Sequence, residues 1–214
     1  LNVQYSSSTD IPRYDRLTQT SGNSPKYAEW YYGPQKRLLS AYTMNLNKNM
    51  GWYSNGRITV AYQNIEESRN DRKFRNNSLN HRIEKLDIVT ANADFSKKLL
   101  QHEFHYGVDA WTNSVNSKAR KENIITGNVQ SLDTRYPDGG STMSSAAIYL
   151  GHTYKINDKW VLNDGLRLSA VNISAKFNDT TFFPFPVNGI EQNNLAVNGN
   201  LGLIFRPTKE WKLS

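Results

Sequence analysis

The sequence has no cysteine and no long apolar run. None of its 214 residues is cysteine, so no disulfide holds the fold together. No segment approaches the roughly 20 consecutive apolar residues of a membrane-spanning helix, and the mean hydropathy is -0.69. These absences exclude a helical membrane protein. These absences do not exclude a membrane β-barrel, because one face of each barrel strand can be polar.

The charge is basic but is spread along the chain. The formal net charge is +7, and the positive side chains are densest in residues 69–75 and 118–121. We predict that both segments lie in solvated loops, with contact to an anionic ligand or lipopolysaccharide as the alternative. The charge does not form one stripe, so we expect no nucleic-acid partner.

Period-two alternation of apolar and polar residues dominates the sequence and predicts half-buried strands. In residues 100–112, Phe104 and Val108 share a mostly apolar face, whereas Glu103 and Asp109 share a polar one. The same alternation recurs, more or less cleanly, in residues 35–46, 57–64, 89–95, 143–155, 160–170 and 195–205.

The connections between these segments alternate between short and long. Short connections are predicted near residues 47–51, 96–98, 157–159 and 206–209. Long connections are predicted over residues 7–34, 66–82, 114–142 and 174–193. Such alternation is typical of a transmembrane barrel with tight periplasmic turns and long extracellular loops.

Aromatic residues repeat beside the short connections, as expected for rings at a membrane interface. They are Trp52, Tyr53, Phe95, Tyr154, Trp160, Phe205 and Trp211. The predicted fold is therefore all-β: an antiparallel transmembrane β-barrel segment of about eight to nine strands. Incomplete strands at both ends do not close neatly, so we expect an arc of a larger barrel. No linker or domain-scale repeat divides residues 1–214, which indicates one domain.

Several segments resemble the barrel of TonB-dependent outer-membrane receptors. These are STDIPRYDRL (8–17), KYAEWYYGPQKRLLSAYTMNL (26–46), NHRIEKLDIVTANADFSKKL (80–99), DTRYPDGGSTMSSAAIYL (133–150) and FNDTTFFPFPVNG (177–189). The segment YLGHTYKINDKWVLNDGLRLS (149–169) is similar to a recurring hairpin of that family, in which a strand ends in Gly-x-Arg. The similarity extends over essentially the whole chain.

The resemblance implies a barrel of about 22 strands, plugged by an N-terminal domain, in the outer membrane of a Gram-negative bacterium. It implies active uptake of a scarce nutrient, such as an iron complex or haem. Glycans are the second alternative for the transported substrate. The expected partners are outer-membrane lipid, lipopolysaccharide, the small-molecule ligand and, through the plug, the TonB complex. We expect residues 1–214 to be a fragment, with the signal peptide, plug domain and C-terminal strands outside it.

Arginine and tyrosine side chains in the predicted loops are the candidate ligand contacts, because both are favoured at binding surfaces. They are Arg13, Tyr14, Arg16, Trp30, Tyr31, Tyr32, Arg135 and Tyr136. His81, at the edge of a predicted loop, is the one plausible axial ligand for haem. Packing of the loops against one another is the other explanation for these side chains.

The sequence contains no zinc-type Cys/His spacing and no serine nucleophile motif. We therefore predict no catalytic residue, no metal site and no cofactor in this stretch. Two other functions stay open. One is a small closed outer-membrane barrel that serves as a pore, adhesin or anchor, and the other is a soluble all-β ligand-binding domain.

Overall fold

A computed structural model, which describes residues 1–208 and 210–213, shows long antiparallel strands joined by short and long connections. The long strands are β6 (Lys36–Leu46), β7 (Asn55–Lys73), β8 (Ser78–Leu99), β9 (His102–Asn123), β11 (Ser141–Lys155), β12 (Trp160–Lys176) and β13 (Gly189–Phe205). The shorter elements are β1 (Asn2–Ser7), β2 (Ile11–Pro12), the helical turn α1 (Tyr14–Leu17), β3 (Thr20–Ser21), β4 (Ser24–Pro25), β5 (Tyr27–Tyr32) and β10 (Val129–Ser131).

One sheet contains all of these strands except the small β3–β4 pair. Its path runs β1-β6-β7-β8-β9-β11-β12-β13, and every pairing along it is antiparallel. In the described residues the path does not return to its first strand, so the sheet is open. The eight strands of this path confirm the predicted all-β barrel segment.

The register sorts the side chains onto two faces. Ala93, Val108, Ile148, Leu168 and Val197 lie side by side across five strands. Val108 is 48% exposed and Val197 is 67% exposed, as expected for side chains that contact lipid. We call this side the outer face and the opposite side the inner face.

Apolar residues form a band across the outer face. On β9 the band extends from His102 to Thr112, a rise of about 33 Å at about 3.3 Å per residue. At a strand tilt of about 45° this rise covers about 23 Å of depth, close to the apolar height of outer-membrane barrels. The band therefore has the size of a membrane-spanning surface.

Above the band the strands continue farther than the sequence predicted. The predicted loop 66–82 is mostly strand, because β7 ends at Lys73 and β8 begins at Ser78. The charge-dense segments 69–75 and 118–121 therefore lie largely in β7 and β9 rather than in loops. Both faces of a strand that projects beyond the membrane meet water, so its alternation disappears and the sequence looks like a loop.

The other connections are closer to the prediction. The turn expected at 96–98 lies at Leu100 and Gln101, and residues 156–159 join β11 to β12. The long loops shrink to residues 124–140, which contain β10, and to residues 177–188. Turns and long loops lie at opposite ends of the strands, which we call the turn end and the loop end.

Aromatic rings contact one another at the turn end of the outer face. Trp52 and Phe95 have ring centroids 4.8 Å apart, and Trp160 and Phe205 stack at 4.3 Å. Rings packed at this level are typical of an interfacial girdle. Trp211, which was also predicted beside a short connection, is 68% exposed.

The two faces predict different responses to charge. In the full-length protein, Leu166→Arg on the outer face should cost about 2–4 kcal/mol of unfolding free energy near the bilayer midplane. Ser169→Arg, on the inner face of the same strand, should cost much less. Equilibrium unfolding from phospholipid vesicles measures both changes. Equal costs would contradict the face assignment.

Candidate functional site

A group of cationic and aromatic side chains lies on the inner face near the loop end. We call it the mouth cluster, and it consists of Arg13, Arg16, Trp30, Tyr32 and Arg69. Trp30 and Tyr32 come from β5, in register with Asp71 and Arg69 of β7. The backbone N–H of Arg13 donates to the carbonyl oxygen of Trp30 at 2.9 Å. This bond holds the segment around α1 over the inner face.

Trp30 is the centre of the mouth cluster. Its side chain is 7% exposed, and its ring meets that of Tyr32 edge to face at 4.9 Å. The guanidinium carbons of Arg13, Arg69 and Arg16 lie 5.2, 5.5 and 5.9 Å from the Trp30 ring centroid. Cations at such distances are attracted to the negative face of the ring. Three positive charges are thus held around one indole.

Asp15 only partly balances this charge. The Arg13 guanidinium donates to both Asp15 oxygens, at 2.7 and 2.6 Å, and Arg13 Nη1 also lies 2.6 Å from the Tyr32 hydroxyl. The hydrogen bonds from Arg13 hold the pKa of Asp15 below its usual range and raise the pKa of Arg13. The pair stays ionised at neutral pH, and stability from it is lost only as the pH falls through the lowered pKa of Asp15.

Two guanidinium nitrogens of the mouth cluster lack a hydrogen-bond acceptor. Within the described chain, Arg16 Nε and Arg69 Nε are buried and make no hydrogen bond, and the nearest carboxylate oxygen to Arg16 Nε is that of Asp15 at 4.0 Å. A buried donor without a partner costs free energy, and an anionic group can remove that cost with charge-assisted hydrogen bonds. The mouth cluster therefore has the chemistry of an anion-binding site.

Five of the predicted contacts lie outside the mouth cluster, namely Tyr14, Tyr31, His81, Arg135 and Tyr136. Tyr14 is 72% exposed on α1. Tyr31 is in register with Asn70 and, through it, with His81, so both Tyr31 and His81 lie on the outer face. Burial, followed by the charges of Asp10 and its other acidic neighbours, raises the pKa of Tyr31.

His81 is held by neighbouring side chains on the outer face, above the apolar band. Its Nδ1 lies 2.7 Å from the Asn70 amide oxygen, and its Nε2 lies 3.6 Å from Glu122. Burial, helped by the charge of Arg120, lowers the pKa of His81. The structure thus places His81, with Tyr31, on the side of the wall opposite to the mouth cluster.

Arg135 ties the loop 124–140 to the inner face. Its guanidinium lies 3.2 Å from Glu84, a carboxylate that is only 1% exposed and also accepts a hydrogen bond from Ser117. Arg82 contacts Asp133 of the same loop at 2.8 Å. The two ion pairs hold the loop against the wall.

Tyr136, the predicted neighbour of Arg135, is 43% exposed. Its ring centroid lies 5.9 Å from the Arg135 guanidinium carbon. The mouth cluster thus unites Arg13, Arg16, Trp30 and Tyr32, whereas Arg135 and Tyr136 belong to the neighbouring loop.

The sequence pattern marks Arg69 only through the charged segment 69–75, for which contact with an anionic ligand is the alternative to a solvated loop, and it does not single out Glu84. Arg69 lies in a charged segment that was interpreted as a loop, and its contact with Trp30 depends on a pairing between distant segments. Around Glu84, polar and apolar residues occur on both faces of β8, so the sequence pattern does not distinguish the inner face from the outer face there. The register of β7 against β5 reveals the contact of Arg69 with Trp30, whereas the burial of Glu84 depends on Ser117 of β9 and on Arg135 of the loop 124–140.

A second polar group lies lower on the inner face. The Tyr149 hydroxyl donates to Asp94 by crossing over Gly107 of β9. Arg167 pairs with Asp109 at 2.6 Å. These contacts join side chains of β8, β9, β11 and β12 across the wall, and they need no ligand.

No three His, Asp or Glu side chains lie close enough to hold a metal ion in the part of the chain that the structure describes. Over the same residues, no helix has the length and apolarity to cross a membrane.

An open antiparallel wall with an apolar outer band, a polar inner face, short turns and long loops defines a segment of a transmembrane β-barrel. The family model described as "TonB dependent receptor-like, beta-barrel" matches residues 1–214. The chain belongs to this family, whose members are outer-membrane receptors and transporters of Gram-negative bacteria rather than enzymes. A comparison with curated proteins found no match.

Solved receptors share the fold at low sequence identity. The "Copper transporter OprC" has 13% identity and a TM-score of 0.69, over 84% of this chain and 29% of its own. The siderophore receptor PiuA from Acinetobacter baumannii has 14% identity and a TM-score of 0.61, over 97% and 37%. The ferric yersiniabactin uptake receptor FyuA from Yersinia pestis has 12% identity and a TM-score of 0.58, over 98% and 32%. The chain spans about a third of the length of these receptors.

The crossing of Tyr149 over Gly107 predicts a clear cost for a methyl group. A Cβ at Gly107 would lie 2.8 Å from Tyr149 Cζ and would also meet the Ala93 carbonyl. In the full-length protein, Gly107→Ala should therefore cost about 1–3 kcal/mol of unfolding free energy, measured by denaturant unfolding.

Gly202→Ala is the matched control for this substitution. The nearest atom to a Cβ at Gly202 is the Asn163 carbonyl oxygen at 4.0 Å, so the change should stay within about 0.5 kcal/mol. A cost at Gly107 no larger than that at Gly202 would show that the Tyr149 crossing is not a tight contact.

Proposed function

We propose that this chain forms part of an outer-membrane receptor that takes up a small-molecule nutrient with energy from the TonB complex. Family membership supports receptor and transport roles. The mouth cluster is the observation that carries the choice of binding site, because it combines positive charge with buried, unbonded donors near the loop end. Localisation in the outer membrane, the plug domain and the TonB contact are proposals for the full-length protein.

The proposed ligand is an anionic complex with a planar or aromatic part, such as a ferric siderophore or haem. Carboxylate or catecholate oxygens accept hydrogen bonds from guanidinium groups, frequently in pairs. The rings of Trp30 and Tyr32 add apolar contact area beside these donors. Arg135 and Tyr136, on the neighbouring inward-held loop, extend the same surface.

The two alternative functions lack support from the sheet. A small barrel closed by these strands would need the path to join β13 to β1, and the described strands do not pair in this way. A soluble domain would need to cover the aliphatic outer face, where Leu195 is 80% exposed and Leu201 is 78% exposed. A receptor wall in a lipid bilayer accounts for both features.

Removal of Arg69 should weaken ligand binding and uptake. A charge-assisted hydrogen bond contributes about 1.5–3 kcal/mol, so Arg69→Ala in the full-length receptor should weaken binding by about tenfold or more. Arg69→Lys keeps the charge but loses the planar guanidinium fork. Its ligand affinity should therefore lie between those of the unaltered receptor and Arg69→Ala. Ferric citrate, haem and a ferric catecholate siderophore are the probes, with uptake compared in cells with and without TonB.

Arg120→Ala is the matched control, because Arg120 is an exposed arginine on the outer face, 3.9 Å from Glu122. It should leave binding and uptake unchanged. If Arg69→Ala and Arg120→Ala have the same effect on every transported probe, the mouth cluster is not the ligand site. If no probe enters in a TonB-dependent way, the proposed uptake of an anionic iron complex is wrong.

A further inference from the structure

The division between the two faces of the wall is reversed for a short height just above the apolar band. On the outer face, the row of side chains above the band is entirely polar. It consists of Asn64, Asp87, Ser114, Thr142 and Ser174, in direct register. On the inner face, the two rows at this height are rich in apolar side chains. We call these side chains the upper patch, which consists of Ile65, Leu86, Ile88, Val115, Met143 and Ile173.

The upper patch needs a cover on the inner side of the wall. Within the bilayer the outer face of a strand meets hydrocarbon, whereas above the bilayer it meets water. Apolar side chains at this height are stabilised only where something on the inner side removes them from water. In the described chain the patch remains partly exposed, and Met143 is 39% exposed. The described residues therefore leave the upper patch incompletely covered.

The upper patch lies below the mouth cluster on the same face. Ile65 is four residues from Arg69 along β7, a separation of about 13 Å at about 3.3 Å per residue. A pocket of about 300 Å³ lies between the two levels, because its lining includes Ile65 and, one row nearer to Arg69, Glu67. One extended molecule can therefore contact both surfaces.

The excess of positive charge ends between the mouth cluster and the upper patch. Arg37 and Glu67 line the same pocket with opposite charges, and the buried Glu84 is paired with Arg135 at 3.2 Å. These four charges cancel. An anionic group finds its partners at the arginines of the mouth cluster, so the part of a ligand that extends below them should be uncharged and apolar.

We propose that the ligand of the mouth cluster is an amphiphilic anion, namely a ferric siderophore with an aliphatic chain, and that this chain lies along the upper patch. The charged iron complex binds Arg69 and its neighbours, and the chain covers Ile65, Leu86 and Val115. This inference rests on the proposed receptor function and specifies the class of its ligand. Each methylene group that leaves water favours binding by about fourfold, so a chain of this length contributes strongly to affinity.

Two iron complexes that differ only in chain length test the ligand class. The probes are the ferric complexes of a citrate-based hydroxamate siderophore with a dodecanoyl chain and of the same molecule with an acetyl group. Binding of radioactive iron to energy-depleted cells that produce the full-length receptor gives both affinities, after subtraction of the binding to cells without the receptor. The dodecanoyl form should bind about tenfold or more tightly than the acetyl form.

The double variant Ile65→Thr/Val115→Thr makes the upper patch more polar but keeps the branched side-chain shape that suits a strand. It should reduce the preference for the dodecanoyl form by about threefold or more and leave binding of the acetyl form unchanged. Val161→Thr/Ile204→Thr is the matched control, because these two residues lie in register on the inner face at the turn end. It should keep both affinities.

Two further measurements complete the design. Arg69→Ala should weaken binding of both forms by the same factor, because the two probes share their charged iron complex. The heat-induced shift on gel electrophoresis verifies that each variant is folded.

Equal affinities for the two forms in the unaltered receptor would overturn the inference, as would a preference for the dodecanoyl form that survives in Ile65→Thr/Val115→Thr. Equal weakening of both forms in this variant would also overturn it, and would assign the upper patch to contacts within the receptor. A receptor that takes up haem or ferric citrate but does not bind the dodecanoyl complex overturns this inference alone. A receptor that takes up no iron complex in a TonB-dependent way overturns the proposed function as well.

Discussion

Inside a bilayer the backbone has no water to bind, so every N–H and C=O group in the hydrocarbon must pair with a neighbouring strand. In this chain β8 and β9 pair without a break from Ser78 opposite Asn123 to Leu99 opposite His102. Because side chains alternate with a period of two, a slip of one residue would exchange the two faces of a strand. The ladder therefore places all other groups: it determines which side chains meet lipid, which line the interior, and which rows lie side by side.

The constraint relaxes beyond the apolar band, and the irregular features of the structure lie there. The strand formed by β5 and β6 is interrupted at Gly33 and Pro34, where Gly33 has a φ of 111° and a Cβ would lie 2.7 Å from the Thr9 carbonyl oxygen. The buried Ser68 and Asn70 side chains donate to the Gly33 carbonyl in place of ladder bonds. Water is available at this height, so a broken ladder costs less and α1 can lie over the inner face.

The sequence predicts the parts of the fold in which the environment differs between the two faces. Phe104 and Val108 were assigned to one face and Glu103 and Asp109 to the other, and the register confirms this division. The predicted extent of β7 and β8 was too short. Above the band, water meets both faces, so alternation no longer distinguishes strand from loop. The limit is therefore physical: the pattern reports a contrast in solvent, and it ends where the contrast ends.

The candidate site was predictable as a set of residue types but not as an arrangement. Arg13, Arg16, Trp30 and Tyr32 were selected for their chemistry, yet their common centre and the addition of Arg69 follow from pairing between distant segments. His81 is the opposite case. Its position is an even number of residues from Val89 and Ala91, so parity along β8 alone indicates the outer face. The prediction missed this because it placed His81 in the loop 66–82, whereas β8 begins at Ser78.

One strand of such a wall carries two unrelated surfaces. On β8, Arg82 and Glu84 anchor a loop inside the barrel, whereas Val89 and Ala91 line a groove on the lipid side. A substitution on one face leaves the ladder and the other face in place, so the two surfaces are free to change separately. The fold requires only that apolar and polar residues keep alternating within the band. This weak requirement explains how solved receptors with little sequence identity retain the same wall, and why the fold alone does not identify a ligand.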